Sequence, residues 1–309
     1  MPPMGIGTWA WGDRFMWGFG RGYTEEDLRA AFHVAVQGGV PFFDTAEVYG
    51  LGRSERFLGQ FLRELDEPDR VLIATKFFPY PWRWRARSLR RALEGSLQRL
   101  GRPRVALYQI HWPWPPRDIR VWVTALAQVV RDGLAQAGGV SNYNLDQMKV
   151  AEAIFADQGL PLASNQVEYS LLRRDIERNG MLDYAREHGI TILAYSPLAM
   201  GILTGKYTPA HPPPGARGRR FPMEFLERVQ PLIRLMTEIG QGHGGKSPAQ
   251  VALNWVMQKG AVPLVGAKNE AQVRSNLGAL GWQLTPDEIA ALDKASEPLQ
   301  ISGLFHRAR

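Results

Sequence analysis

Eight short apolar segments alternate with longer stretches of helical periodicity along the chain. The strand candidates are GIGTW (5–9), VPFFDT (40–45), VLIATK (71–76), VALYQIH (105–111), QAGGVSN (136–142), LASNQVE (162–168), ITILAYS (190–196) and AVPLVG (261–266). Between them, apolar residues recur at helical spacing over 25–37, 54–65, 87–100, 119–131, 145–156, 176–187, 248–258 and 270–277. Apolar strands separated by helices imply parallel pairing, because a parallel strand is covered on both faces and needs a long return connection. Eight such units predict an α/β fold of the (β/α)8 TIM barrel type. A barrel of this kind reaches 309 residues as one unit, and no linker or internal repeat divides the sequence. Residues 1–309 are therefore expected to form a single barrel domain.

Helix-start signals agree with this reading. Thr24 opens TEED, Ser247 opens SPAQ and Thr285 opens TPDE, each with a hydroxyl cap and an acid or amide three positions on. The Thr285 signal predicts an extra C-terminal helix. Another periodic stretch, 225–239, predicts an extra helix after the seventh strand. The segment HPPPGARGRR (211–220) leads into it as a long loop, and long loops in compact domains are usually functional.

Several function classes are excluded. There is no cysteine, so disulfides, Cys-zinc sites and thiol nucleophiles are out. The six histidines show no HExxH spacing, and no metal is expected. No apolar run is long enough to span a bilayer, and the N-terminus lacks a basic-then-apolar leader, so a cytoplasmic protein without membrane association is expected. The net charge of +7 suits a polyanionic partner. The densest basic run, Arg83, Arg85, Arg87, Arg90 and Arg91, reads as a solvated helix face around Leu89, Leu93 and Leu97. No nucleic-acid motif accompanies it, so no nucleic-acid partner is expected.

Two cofactor motifs match by pattern only. GIGTWA (5–10) fits a dinucleotide fingerprint, but a loop follows where that motif needs a helix. GQGHGGKS (240–247) fits a P-loop, but helical spacing precedes it where a buried strand is required.

More informative are Asp44, Lys76 and His111, which end three successive strand candidates, with Tyr49 five residues beyond Asp44. In a parallel barrel these ends share one face, where active sites form. A carboxylate, a phenol, an ammonium and an imidazole brought together there can deliver a proton to a carbonyl.

The phrases FFDTAEVYG, IATKF and YQIHWP, followed by GVSNYN (139–144), SNQVEYS (164–170), AYSPLAMGILTGKY (194–207) and VGAKNEAQVRSN (265–276), resemble the aldo-keto reductases over nearly the whole chain. GIGTWAWGDR and KFFPYPW resemble a branch with bacterial members and plant chloroplast pyridoxal reductases. The resemblance implies reduction of aldehydes or ketones by NADPH, with NADH less favoured. It gives Tyr49 the role of general acid, with Lys76 lowering its pKa. Asp44 would hold Lys76, and His111 would orient the carbonyl. It implies cofactor contacts at Ser141, Asn142 and Gln166 to the nicotinamide amide and at Tyr195 to its ring. Ser196, Pro197, Leu198, Gly201 and Lys206 would clasp the pyrophosphate, with Arg217 as an extra phosphate contact. Gly266, Ala267 and Lys268 would meet the adenosine phosphate, and Gln272 and Asn276 the adenine.

A substrate pocket is expected from Trp9, Trp11, Trp82 and Trp112, within a wider aromatic set of Phe15, Trp17, Phe19, Phe78, Tyr80 and Trp114. Its partner would be a small carbonyl compound, with pyridoxal and aromatic or small aldehydes as candidates. Only Met1–Met4 precede the first strand, so the hairpin that plugs the barrel bottom in many members is expected to be shortened or absent. The resemblance also leaves a different class open, a cofactor-sensing regulatory subunit like the potassium-channel β-subunits. It leaves the oligomeric state open as well.

Overall fold

The computed structural model describes residues 2–114 and 117–301, apart from the side chains of Ala216 and Arg217. The chain runs through β1 (Gly5–Gly7), α1 (Glu25–Gln37), β2 (Phe42–Asp44), α2 (Arg53–Leu62), β3 (Leu72–Phe77), α3 (Arg87–Leu100), β4 (Val105–Ile110), α4 (Ile119–Arg131) and β5 (Ala135–Ser141). It continues through α5 (Leu145–Asp157), β6 (Ser164–Glu168), α6 (Asp175–Arg178), α7 (Met181–Glu187), β7 (Thr191–Tyr195), α8 (Ala216–Arg220), α9 (Met223–Gly242), α10 (Pro248–Gln258), β8 (Val262–Gly266), α11 (Glu270–Leu277) and α12 (Pro286–Ser296). The strands pair in parallel in chain order, and β1 closes on β8 with Gly5 opposite Leu264 and Gly7 opposite Gly266. This is the (β/α)8 barrel that the alternation predicts.

Strand periodicity sorts the barrel interior into two layers. Phe42, Ala74, Leu107, Leu193 and Leu264 fill the lower interior as one apolar cluster. Two residues further along their strands stand Asp44, Lys76, Gln109, Tyr195 and Gly266. The alternate residues Phe43, Ile73, Tyr108, Ile192 and Val265 belong to the larger core, which the helices cover. The period of two therefore seats the apolar floor and lifts the polar residues to the carboxyl ends of the strands.

The caps form as their sequences imply. Thr24, Ser247 and Thr285 each accept a hydrogen bond from the third helical N–H, and the residue at that position reaches back. Each such cap is worth about 1 kcal/mol. The two extra helices are α9 and α12. Ser247 is thus a helix cap, and α9 runs to Gly242, so the P-loop pattern has no strand before it. A turn, not a helix, follows β1, which removes the dinucleotide fingerprint.

Two expectations change. The helix expected over 176–187 is split into α6 and α7 by Gly180, whose φ of 78° is a left-handed conformation that glycine adopts without cost. The 211–220 loop holds a short helix, α8. Among the described residues no strand precedes Gly5, no helix is long and apolar enough to cross a membrane, and no group of His, Asp or Glu is arranged to hold a metal.

Candidate active site

Lys76 is fully buried where β3 ends, so its ammonium must be matched from within the protein. Its Nζ donates to Asp44 Oδ2 at 2.5 Å and to the carbonyl of Thr45 at 2.8 Å, and it lies 3.4 Å from the Tyr49 hydroxyl. The other oxygen of Asp44 accepts from Gln166 Nε2 at 2.8 Å and Gln109 Nε2 at 3.2 Å. The carboxylate is thereby fixed on both sides. Removing one partner of such a buried pair typically costs about 3–5 kcal/mol, because the other charge is left uncompensated.

Tyr49 is aimed by a tight 3₁₀ turn, Tyr49–Gly52, with Gly50 at φ 55°. A Cβ on Gly50 would sit 2.9 Å from the backbone of Gly12, so only glycine lets the turn press against the first loop. The Tyr49 ring meets His111 edge to face at 5.8 Å. Burial and the Asp44 carboxylate hold the phenol well above its ordinary pKa, so it stays protonated. These two effects outweigh the lowering expected from the Lys76 ammonium, which lies 3.4 Å from the hydroxyl. Burial, reinforced by the Lys76 charge, pushes His111 well below 6.5, and its ring is neutral at neutral pH. Its Nδ1 is buried without a hydrogen-bond partner. Burial also lowers Lys76, against the opposing pull of Asp44.

The other half of the rim is built from backbone more than from charge. Ser141 Oγ donates to the carbonyl of Gln166 at 2.9 Å. Asn142, at φ 62°, donates to the carbonyl of His111 at 3.0 Å and accepts from the Tyr195 hydroxyl at 2.9 Å, so it ties the two halves together. Ser196, Ala199 and Met200 also hold left-handed backbone, with Gly201 at φ 95°. Lys268 Nζ lies between the rings of Trp17 and Tyr23, 4.8 and 4.7 Å from their centroids, and donates to the carbonyl of Trp17 at 3.2 Å. Its backbone N–H donates to Gln272 Oε1 at 2.8 Å. Asn276 Nδ2 is buried with no partner, an orphaned donor that a bound ligand can satisfy.

A cavity of about 740 Å³ runs across this rim. Asp44, Tyr49 and His111 face it, whereas Lys76 lies behind Tyr49. It is also lined by Ser141, Asn142, Gln166, Tyr195, Ser196, Pro197, Leu198, Gly201, Lys206, Gly266, Ala267, Lys268, Gln272 and Asn276. The Arg217 side chain falls outside the described residues. The volume, the left-handed loop and the orphaned Asn276 donor fit an elongated dinucleotide.

The aromatic expectations divide. Trp9, Trp17, Phe78, Trp112 and Trp114 line the cavity. Trp11 does not. It is fully buried beneath the rim, packs on Phe43 and Phe61, and donates from Nε1 to the carbonyl of Ala267 at 2.9 Å. Trp82 does not line it either. It is 70% exposed and stacks on Tyr80. Phe15 is 97% exposed, and Phe19 packs on Tyr23 and Phe57.

Sequence reading missed Gln109, whose signal is a buried amide in an apolar strand, in phase with Leu107 and His111. It also missed Met200, Thr204, Tyr207 and Ser247 at the cavity. Their loops carry no periodicity from which to read a direction.

The family model described as "Aldo/keto reductase family" matches residues 3–297. The chain is 39% identical over 307 residues to a chloroplastic pyridoxal reductase of Arabidopsis thaliana, covering 96% of this chain and 83% of that protein. Among solved structures, a glycerol dehydrogenase of Gluconobacter oxydans superposes with a TM-score of 0.84 at 30% identity, covering 99% of this chain and 95% of that one. An aldo/keto reductase of Klebsiella pneumoniae in complex with NADP and acetate gives a TM-score of 0.75 at 28% identity, covering 98% and 94%.

Proposed function

This chain belongs to the aldo/keto reductase family, and from that premise we propose that it reduces an aldehyde or ketone to the alcohol with NADPH, with Tyr49 as the proton donor. The observation that carries the reading is the buried Asp44–Lys76 pair, whose ammonium reaches the Tyr49 hydroxyl at the cavity wall. The dinucleotide, when bound, supplies the hydride, which no side chain can provide. The protein's part is to keep a proton on Tyr49 Oη, hold the carbonyl oxygen beside it, and exclude water. The high pKa of the phenol keeps it loaded for reduction. Neutral His111 offers one N–H to the carbonyl oxygen. As the proton leaves, the Lys76 ammonium stabilises the developing phenolate, and Asp44 keeps that ammonium charged and aimed.

Ser141, Asn142 and Gln166 would hold the nicotinamide amide, and the Ser196–Gly201 loop the pyrophosphate. Lys268, a compact ammonium, suits a 2′-phosphate, which favours NADPH over NADH. The NADP-bound Klebsiella pneumoniae structure supports this choice. An aromatic wall of Trp9, Phe78, Trp112 and Trp114 suits a flat carbonyl compound, and the 39% identical pyridoxal reductase makes pyridoxal the first candidate.

The test is NADPH oxidation over pyridoxal, aromatic aldehydes, methylglyoxal and simple ketones, for the wild type and Tyr49→Phe. Loss of one general acid should lower kcat by about 10³-fold, with NADPH affinity unchanged. Full turnover in the variant would sink the assignment of Tyr49. A wild type inert on every carbonyl, yet held by a stoichiometric membrane partner, would move the reading to a regulatory subunit.

A further inference from the structure

We propose that Glu47 is a positioning residue for the substrate: clasped to Arg83, it fixes the segment after β3 as the wall against which a flat carbonyl compound lies. The inference rests on the carbonyl-reductase reading and extends it to a residue outside the quartet. Glu47 sits between Asp44 and Tyr49, and its side chain is only 9% exposed. A carboxylate so buried needs several donors, and it has them. It accepts from the backbone N–H of Phe78 at 2.6 Å and from both terminal nitrogens of Arg83, the Nη2 contact being 2.9 Å. Arg83 in turn donates to the carbonyl of Phe78 at 2.8 Å. Both backbone polar groups of Phe78 are therefore held by one ion pair.

The guanidinium also lies against two rings, 4.8 Å from the Phe77 centroid and 5.1 Å from that of Tyr80. Phe78, so fixed, meets His111 edge to face at 5.6 Å and Trp114 at 5.2 Å. Trp114 stacks on Trp112, also 5.2 Å away. The clasp thus sets the distance between an aromatic wall and the imidazole that faces the cavity. Bidentate Arg–carboxylate geometry suits this task, because it fixes orientation as well as distance.

A wall position matters for a substrate broad enough to touch it and little for a small one. The experiment compares the wild type, Glu47→Gln, Arg83→Met and the double variant on pyridoxal, benzaldehyde and methylglyoxal. KM for the two ring aldehydes should rise about tenfold in each single variant, with kcat and the methylglyoxal KM within about twofold. The double variant should be no worse than the weaker single one, as expected for partners acting through one interaction. Amide hydrogen exchange over residues 78–86 should quicken in both single variants, while exchange over β4 stays unchanged. Equal KM changes for all three aldehydes, additive losses in the double variant, or unaltered exchange would each overturn the proposal. If Glu47→Gln fails to fold, Arg83→Met alone decides it. A wild type inert on every carbonyl overturns the functional reading instead, and is distinguishable from an active wild type whose variants keep its KM values.

Discussion

The rim of the barrel is made in two ways. The half formed by β1–β4 and their loops presents charged and titratable side chains on rigid strand ends: Asp44, Lys76 and His111, with Tyr49 one turn beyond. The half formed by β5–β8 presents small residues and bent backbone. Of the five non-glycine residues in left-handed conformation among those described, Asn142, Ser196, Ala199 and Met200 lie in this second half. The difference matches the roles proposed for the two halves. Moving a proton needs a few groups at fixed distances in a dry place, which strand side chains supply. Cradling an elongated anion needs many N–H groups and close approach, which loops supply at the expense of backbone strain.

Substitutions in the two halves should therefore fail differently. The largest effect is expected for Lys76→Met. It leaves Asp44 buried without its cation, so stability should fall by about 3–5 kcal/mol, and reductase activity should disappear. Chemical denaturation and turnover measure the two losses, and an active, fully stable variant would erase the distinction between the halves. Lys268→Met comes next. It should weaken NADPH by about 10–100-fold, the value of one hydrogen bond to a charged group, with NADH affinity and the Asp44–Lys76 pair untouched. Fluorescence titration with both cofactors tells these apart. Met200→Gly, at φ 56°, relieves left-handed strain. It should raise stability by about 0.5 kcal/mol in chemical denaturation, the margin by which that relief exceeds the entropy cost of glycine.

Smaller still is the response to pH. Tyr49 is raised and His111 is lowered, so neither changes charge near neutrality. The kcat profile should be flat there. It should fall on the alkaline side where Lys76, itself lowered from 10.5, gives up its proton. A bell centred on an ordinary histidine value would contradict the dry first half. No effect at all is expected for Lys246→Ala, because Lys246 belongs to a helix-capping turn. ATP binding that disappeared in that variant would revive the P-loop.

The barrel was legible because period-two apolar strands and capped helices obey local rules. Those rules fix where a strand side chain points, and Asp44, Lys76 and His111 were readable for that reason. Tyr49 lies beyond its strand, so it was singled out by its spacing from Asp44, and its role as general acid came from the family resemblance. Direction was lost wherever a loop sets it. Trp9 and Trp11 are two apart in one loop, yet one lines the cavity and the other is buried beneath it. Trp82 lies on the same segment as Phe78 but turns outward. The direction of the Tyr49 shift was also beyond the sequence, because it depends on how deeply the fold buries the phenol and how close it brings Asp44. Glu47 carried no signal until its three donors were in view.

The seam between β1 and β8 sets a schedule. Trp11 reaches Ala267 across 256 positions, and Gln166 reaches Asp44 across 122. As the chain leaves a ribosome, the sequence of the Asp44–Lys76 pair emerges in its first third, but the cavity has no closing wall until β8 appears. Contacts so distant in sequence form slowly, because the loop between them must be ordered before they contribute. Closure of the cavity wall by β8 is thus expected late in folding, and a fragment that ends before β8 should lack the complete cavity.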